Sequence, residues 1–238
     1  MSTQKKTLIV VLDSSYSMKT FNLIELFLGV GKLVKLQENI KELIVIKYSD
    51  APEVVLRQEI EGGKPELSVE KLNSIYSLDG STSMNDAFLM ACDESDKCKP
   101  EVFVEGDPHS IVIFITDGEE NSSKEKRVGV VRERLVLTQK SGCVFLCMGI
   151  PESIAVIYGL PTGQCIEYSH NDICMEKVWE SAAYVCRAYS SGDKEGLSFS
   201  TQQRENSSDG AHCGGSIAAD LEEEDSDEED SRASCKRN

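Results

Sequence analysis

Two six-residue runs, Thr7 to Leu12 (TLIVVL) and Ser110 to Ile115 (SIVIFI), are apolar at nearly every position and rich in β-branched side chains. A strand with one wet face alternates polar and apolar residues. A run without alternation belongs to a strand covered on both faces, as in a parallel sheet held between helices. Val144 to Met148 reads the same way, and Glu42 to Tyr48, Glu53 to Arg57 and Cys165 to Tyr168 read as further strands. Between them lie stretches with helical spacing: Phe21 to Leu36, Met84 to Glu94, Lys124 to Lys140, Glu152 to Tyr158 and Ile173 to Tyr189. In the last of these, Met175, Val178, Trp179, Ala182 and Cys186 recur at helical intervals. Strands alternating with helices predict an α/β fold: a doubly wound, mostly parallel sheet with helices on both faces and right-handed crossovers.

The chain has 238 residues, enough for one full-sized domain and an appendage. Its formal net charge is −16, from 41 acidic and 25 basic residues. Nine of the acids fall in Asp220 to Asp230 (DLEEEDSDEED), which contains no base. Such a run repels itself, and the surrounding Gly, Ser and Asn cannot build a core, so 206–238 is expected to be a disordered acidic tail. Its functional readings are an interaction tail or a phosphorylation site at Ser226. A negative chain is a poor partner for phosphate backbones and anionic lipid, which argues against nucleic acid and membrane surfaces.

Nine cysteines without a CxxC pair argue against structural zinc. The N-terminus carries two lysines and an apolar run too short for a signal peptide or a membrane span. These features together suggest a cytoplasmic protein with reduced thiols.

In a doubly wound sheet, ligands sit beyond the carboxyl ends of strands, where the strand order reverses. Three segments at or near such ends are rich in hard oxygen donors. They are Asp13-Ser14-Ser15-Tyr16-Ser17 after the first strand, Gly80-Ser81-Thr82 before a helix, and Thr116-Asp117-Gly118 after the second apolar run. Two carboxylates and three hydroxyls suit Mg2+, with Mn2+ or Ca2+ as alternatives; the absence of Cys and His from these segments argues against zinc. Each segment alone also suits a helix N-cap.

Taken in order, an Asp-x-Ser-x-Ser after the first strand, a Gly-x-Thr about 65 residues later and a Thr-Asp-Gly after a later strand resemble the metal-ion-dependent adhesion site of von Willebrand factor A domains. Phe145-Leu-Cys-Met-Gly149 and Leu197-Ser-Phe with Gln203-Arg204 extend the resemblance across about 6–205, so 1–205 is expected to form the domain. The resemblance implies that Ser15, Ser17 and Thr82 bind the metal directly and that Asp13 and Asp117 anchor it from outside. An open coordination position then accepts an Asp or Glu carboxylate from a partner protein. Tyr16 stands where many relatives carry Gly. Some soluble relatives serve as adaptors or substrate-recruiting subunits of AAA-type ATPase machines, which is the second reading. A metal-dependent hydrolase is a third, disfavoured because no base or nucleophile neighbours the three segments.

Other signals read blandly. Gly29-Val-Gly31-Lys32 lies inside a helical stretch, which is the wrong context for a phosphate loop. Cys143 and Cys147 share one face of a strand and read as small buried hydrophobes. Trp179 reads as core, and His109, His170 and His212 as solvated.

Overall fold

The computed structural model describes residues 5–61, 64–101, 108–117, 120–167, 172–191, 198–200 and 203. The acidic tail, Tyr168, Gly118, His170 and His212 lie outside these. The elements run β1 (Lys6–Asp13), α1 (Leu23–Lys35), β2 (Ile40–Tyr48), β3 (Pro52–Glu59), α2 (Val69–Ile75), α3 (Met84–Lys97), β4 (Ser110–Ile115), α4 (Val128–Lys140), β5 (Cys143–Met148), α5 (Glu152–Tyr158), β6 (Cys165–Ile166) and α6 (Asp172–Ser191). The strands form one sheet in the order β3-β2-β1-β4-β5-β6. All neighbours are parallel except β2 and β3, which pair as an antiparallel hairpin at one edge. This is the expected doubly wound α/β sheet.

The apolar run of β1 explains the two layers. Side chains alternate across a strand. Leu8, Val10 and Leu12 therefore join α1 and α6 in one core, while Ile9 and Val11 join α3, α4 and α5 in the other. Cys143 and Cys147 point into this second core, as their spacing requires. Burial pushes the Cys143 thiol up to about 11 and Cys92 up to about 12, so neither is a ready thiolate. Among the described residues no helix is long and apolar enough to cross a membrane.

Several expectations are corrected. His109 is not solvated: it is 1% exposed, and its Nε2 lies 3.2 Å from the Ser95 carbonyl and 3.3 Å from Ser95 Oγ. Burial lowers its pKa and holds the ring neutral. α4 begins at Val128 rather than Lys124, because the Asp86 carboxylate accepts the Lys124 and Glu125 amides at 2.7 and 3.0 Å and holds them in a loop. α1 begins at Leu23, where the Asn22 side chain accepts the Ile24 amide at 3.2 Å.

Gly29 falls within α1, so the glycine-rich string there is no phosphate loop. A Cβ at Gly29 would lie 2.1 Å from Trp179 Cε2, so the glycine is what lets the α6 indole pack against α1. Gly29→Ala is expected to destabilise the chain by about 1–3 kcal/mol through overpacking. Urea denaturation followed by the single tryptophan's fluorescence measures this; an unchanged midpoint would mean that Trp179 does not pack there.

Candidate metal centre

β1 leads to β2 on one side, and β4 lies on its other side, so the order of the sheet reverses between β1 and β4. Asp13 ends β1, and Thr116-Asp117 directly follows β4, whose Ile115 is paired with Leu12. Topology therefore delivers both aspartates to the crevice where α/β folds bind ligands.

Asp13 is 1% exposed. Its Oδ1 accepts the Ser15 amide at 2.8 Å; its Oδ2 accepts the hydroxyls of Thr116 at 2.8 Å and Tyr48 at 3.2 Å. Burial raises the Asp13 carboxyl above its ordinary pKa, and the charge of Asp117 adds to this; the bonds from Ser15 and Thr116 oppose it. Burial, reinforced by the negative Asp13, pushes Tyr48 far up, so it stays a phenol and a donor. Tyr76, likewise raised by burial, donates to the Asp13 carbonyl at 2.7 Å.

The other predicted residues lie in the loops that adjoin Asp13. Residues Tyr16–Thr20 form a 3₁₀ turn that buries Met18. The turn brings Ser15 Oγ and Ser17 Oγ to 2.8 Å, with Ser15 buried and Ser17 exposed. Thr82 is 2% exposed, and its hydroxyl makes no hydrogen bond among the described residues. Asp117 is half-buried.

Backbone and side-chain bonds tie the three loops together. Ser14 donates both its amide and its hydroxyl to the Tyr48 carbonyl, at 2.8 and 2.9 Å. The Asp79 amide donates to the Ser14 carbonyl and the Tyr16 amide to the Gly80 carbonyl, joining the first loop to the second. Thr82 is clamped by Asn121, whose side chain accepts its amide at 2.8 Å and whose amide donates to its carbonyl at 3.0 Å. Gly80 has φ +59°, and a Cβ there would meet the Asp50 carboxylate at 2.5 Å; Asp50 in turn accepts the Ser81 amide. Only glycine fits that turn.

These contacts also test the capping alternative. Neither Ser15 nor Ser83, the residues at the N-cap positions of the 3₁₀ turn and α3, makes a side-chain cap bond. The α3 amides of Asn85 and Asp86 are instead accepted by Glu120 and Ser123 of the third loop. The serines and Thr82 are thus not consumed by capping. A hard cation would fit the chemistry of this donor set: Asp13's oxygens are already engaged, which suits an outer anchor, the Ser15 and Ser17 hydroxyls are paired with each other, and that of Thr82 is unbonded among the described residues. Among the described residues no cluster of three or more His, Cys, Asp or Glu that could hold a metal is present, at these loops or elsewhere, so the donor set here rests on hydroxyls.

Sequence reading missed Tyr48, Tyr76, Asn121 and Asp50. Tyr48 carries the one available signal, a phenol at the last position of a strand. The other three lie in loops whose partners are set only by folding.

Residues 7–164 match the family model of the von Willebrand factor type A domain. The chain belongs to that family. Among solved structures it is similar to a von Willebrand factor type A protein from Catenulispora acidiphila, with TM-score 0.55 and 14% identity over 79% of this chain and 43% of that one. It is also similar to the ArnB paralog VWA2 from Sulfolobus acidocaldarius, with TM-score 0.51 and 14% identity over 77% of this chain and 46% of that one. At such identity the likeness is one of fold. The chain spans less than half the length of either solved protein. No curated protein sequence matches it.

Removing one hydroxyl donor from the Asp13 carboxylate, as in Tyr48→Phe, is expected to cost about 1–3 kcal/mol at neutral pH. Adding Thr116→Val strips Oδ2 of both donors, and the double variant is expected to lose more than the sum of the two. Equilibrium urea denaturation of the two single variants and the double variant checks this; additive losses under 0.5 kcal/mol (about the scatter of distant sites) would show that the bonds do not support the carboxylate.

Proposed function

We propose that the three loops form a binding site for one divalent cation, Mg2+ or a similar hard ion, through which the protein grips a carboxylate of a partner protein. Ser15, Ser17 and Thr82 are the direct ligands in this reading, and Asp13 and Asp117 hold the cation from outside. The supporting observation is the buried Asp13 carboxylate with both oxygens engaged, beside the paired Ser15 and Ser17 hydroxyls.

A cation held there would supply an electropositive coordination position suited to an incoming Asp or Glu. The chain's own part is preparation. Asp13 orients Ser15 through its amide, the 3₁₀ turn sets Ser17 beside it, and Asn121 fixes the backbone of Thr82. Neutral hydroxyls as direct ligands leave much of the cation's charge for the partner.

We read the domain as a binding module and not an enzyme. Its one described histidine precedes β4, while the site follows β4, so roughly 20 Å of strand separates them. The nearby phenols of Tyr48 and Tyr76 have raised pKa values and are poor proton acceptors.

Calorimetric titration with Mn2+ and Mg2+ is expected to show one saturable site that Asp117→Ala abolishes. Saturating metal at about 100 times its Kd should add about 2.7 kcal/mol of stability. Thr82→Ala is expected to weaken metal binding and leave the melting temperature of the metal-free chain unchanged. A folded wild type that binds no metal at millimolar concentration overturns the reading.

A further inference from the structure

Away from the loops, α1 and α6 leave between them a groove of about 680 Å³. Its floor is apolar, formed by Leu28, Leu36 and Trp179; Leu28 is 49% exposed although it lies in the middle of a helix. Lys32, Lys35 and Lys64 line it, and none of the three makes an ion pair among the described residues. Trp179 is 7% exposed, and its indole N–H has no hydrogen-bond partner among the described residues, a donor that folded proteins normally satisfy.

The charge is polarised. Of the groove's two acids, Glu25 precedes Lys32 and Lys35 along α1 by about 10 and 15 Å. Glu180 stands beside Trp179, so the C-terminal half of α1 is the basic end. A second groove, of about 320 Å³ on the α2 side of α1, is also lined by Leu28, Lys32 and Lys35, which extends the basic strip.

The chain itself contains a segment of matching chemistry. After Phe199 its only large aliphatic side chains are Ile217 and Leu221, four residues apart and directly followed by Glu222-Glu223-Glu224-Asp225. Two apolar anchors with acids behind them complement an apolar floor with lysines at one end. The tether suffices: Phe199 is buried in the same core as Trp179, and the fourteen residues from Gln203 to Ile217 reach up to about 46 Å. Six strands span only about 24 Å. Attachment in one chain also raises the local concentration of the segment to roughly millimolar, so a weak contact is enough.

We propose that residues 217–225 dock within the same chain into the α1–α6 groove, with Ile217 and Leu221 on the apolar floor and the acids that follow against Lys32, Lys35 and Lys64. A tail seated this way withdraws the lysines from other acidic partners. The proposal is independent of the metal site.

Trp179 is the only tryptophan, so its fluorescence reports on the groove in the full chain. Acrylamide quenching is compared for the wild type, for Ile217→Ser with Leu221→Ser, and for Lys32→Glu with Lys35→Glu. Both double variants are expected to raise the quenching constant about twofold, and high salt is expected to raise it in the wild type by screening the ion pairs. Adding Glu222→Lys and Glu223→Lys to the lysine variant is expected to restore protection. The tail variant leaves the described domain untouched, so it tests the contact even if the lysine variant folds poorly. Equal quenching in the wild type and the tail variant overturns the proposal. So does a failure of the charge swap to rescue a folded lysine variant. Quenching that depends on protein concentration would place a second copy's tail in the groove and overturn docking within one chain.

Discussion

Asp13 sits at the end of a central strand with 1% of its surface exposed. Taking a carboxylate out of water costs several kcal/mol unless donors replace its hydration. The chain supplies three for the side chain, from Ser15, Thr116 and Tyr48, and each comes from a different place: the following loop, the end of β4 and the end of β2. Meeting this one demand fixes the relative register of three adjacent strand ends. It also fixes the start of the Ser15–Ser17 turn, and hence the spacing of the two serine hydroxyls.

The second and third loops depend on this arrangement in turn. Gly80 and Asp79 bond to the first loop, Asp50 receives the Ser81 amide, and Asn121 holds Thr82 through two bonds. Glu120 and Ser123 then cap α3 from the third loop, so that helix starts where the loop permits. Bonds of this kind hold the backbone of the three loops to one another, while the hydroxyls of Thr82, Ser83 and Ser122 stay unbonded among the described residues. Such mutual restraint would serve the cation site proposed above, because neutral hydroxyls hold a cation weakly one by one and gain from being arranged beforehand. The family membership of the chain rests on its sequence match over 7–164 and agrees with this architecture.

Apolar patterning made the sheet legible. β1, β4 and β5 lack alternation because both of their faces are covered, and the pattern of the sequence records that directly. Three of the helical spans were recognisable within two residues at each end: Leu23–Lys35, Glu152–Tyr158 and Asp172–Ser191. The spans starting at Met84 and ending at Lys140 were each right at one end only, because Asp86 pulls residues 124 and 125 out of the helix and α3 continues to Lys97. His109 was misread because a single histidine has no periodicity; its burial comes from α3 packing over the start of β4.

By itself, then, the sequence determined the α/β layering, the placing of Asp13 and Asp117 at strand ends, and which oxygen donors are candidates, because hydrophobic period and local turn chemistry are short-range properties. Tertiary structure alone decided which groups surround Asp13, that Asn121 clamps Thr82, that Gly29 must yield to Trp179, and that three lysines line one groove. Apart from the Ser15 amide, these bring together residues 30 to 150 positions apart, and no local pattern encodes which distant side chain will fill a given space once the layers pack.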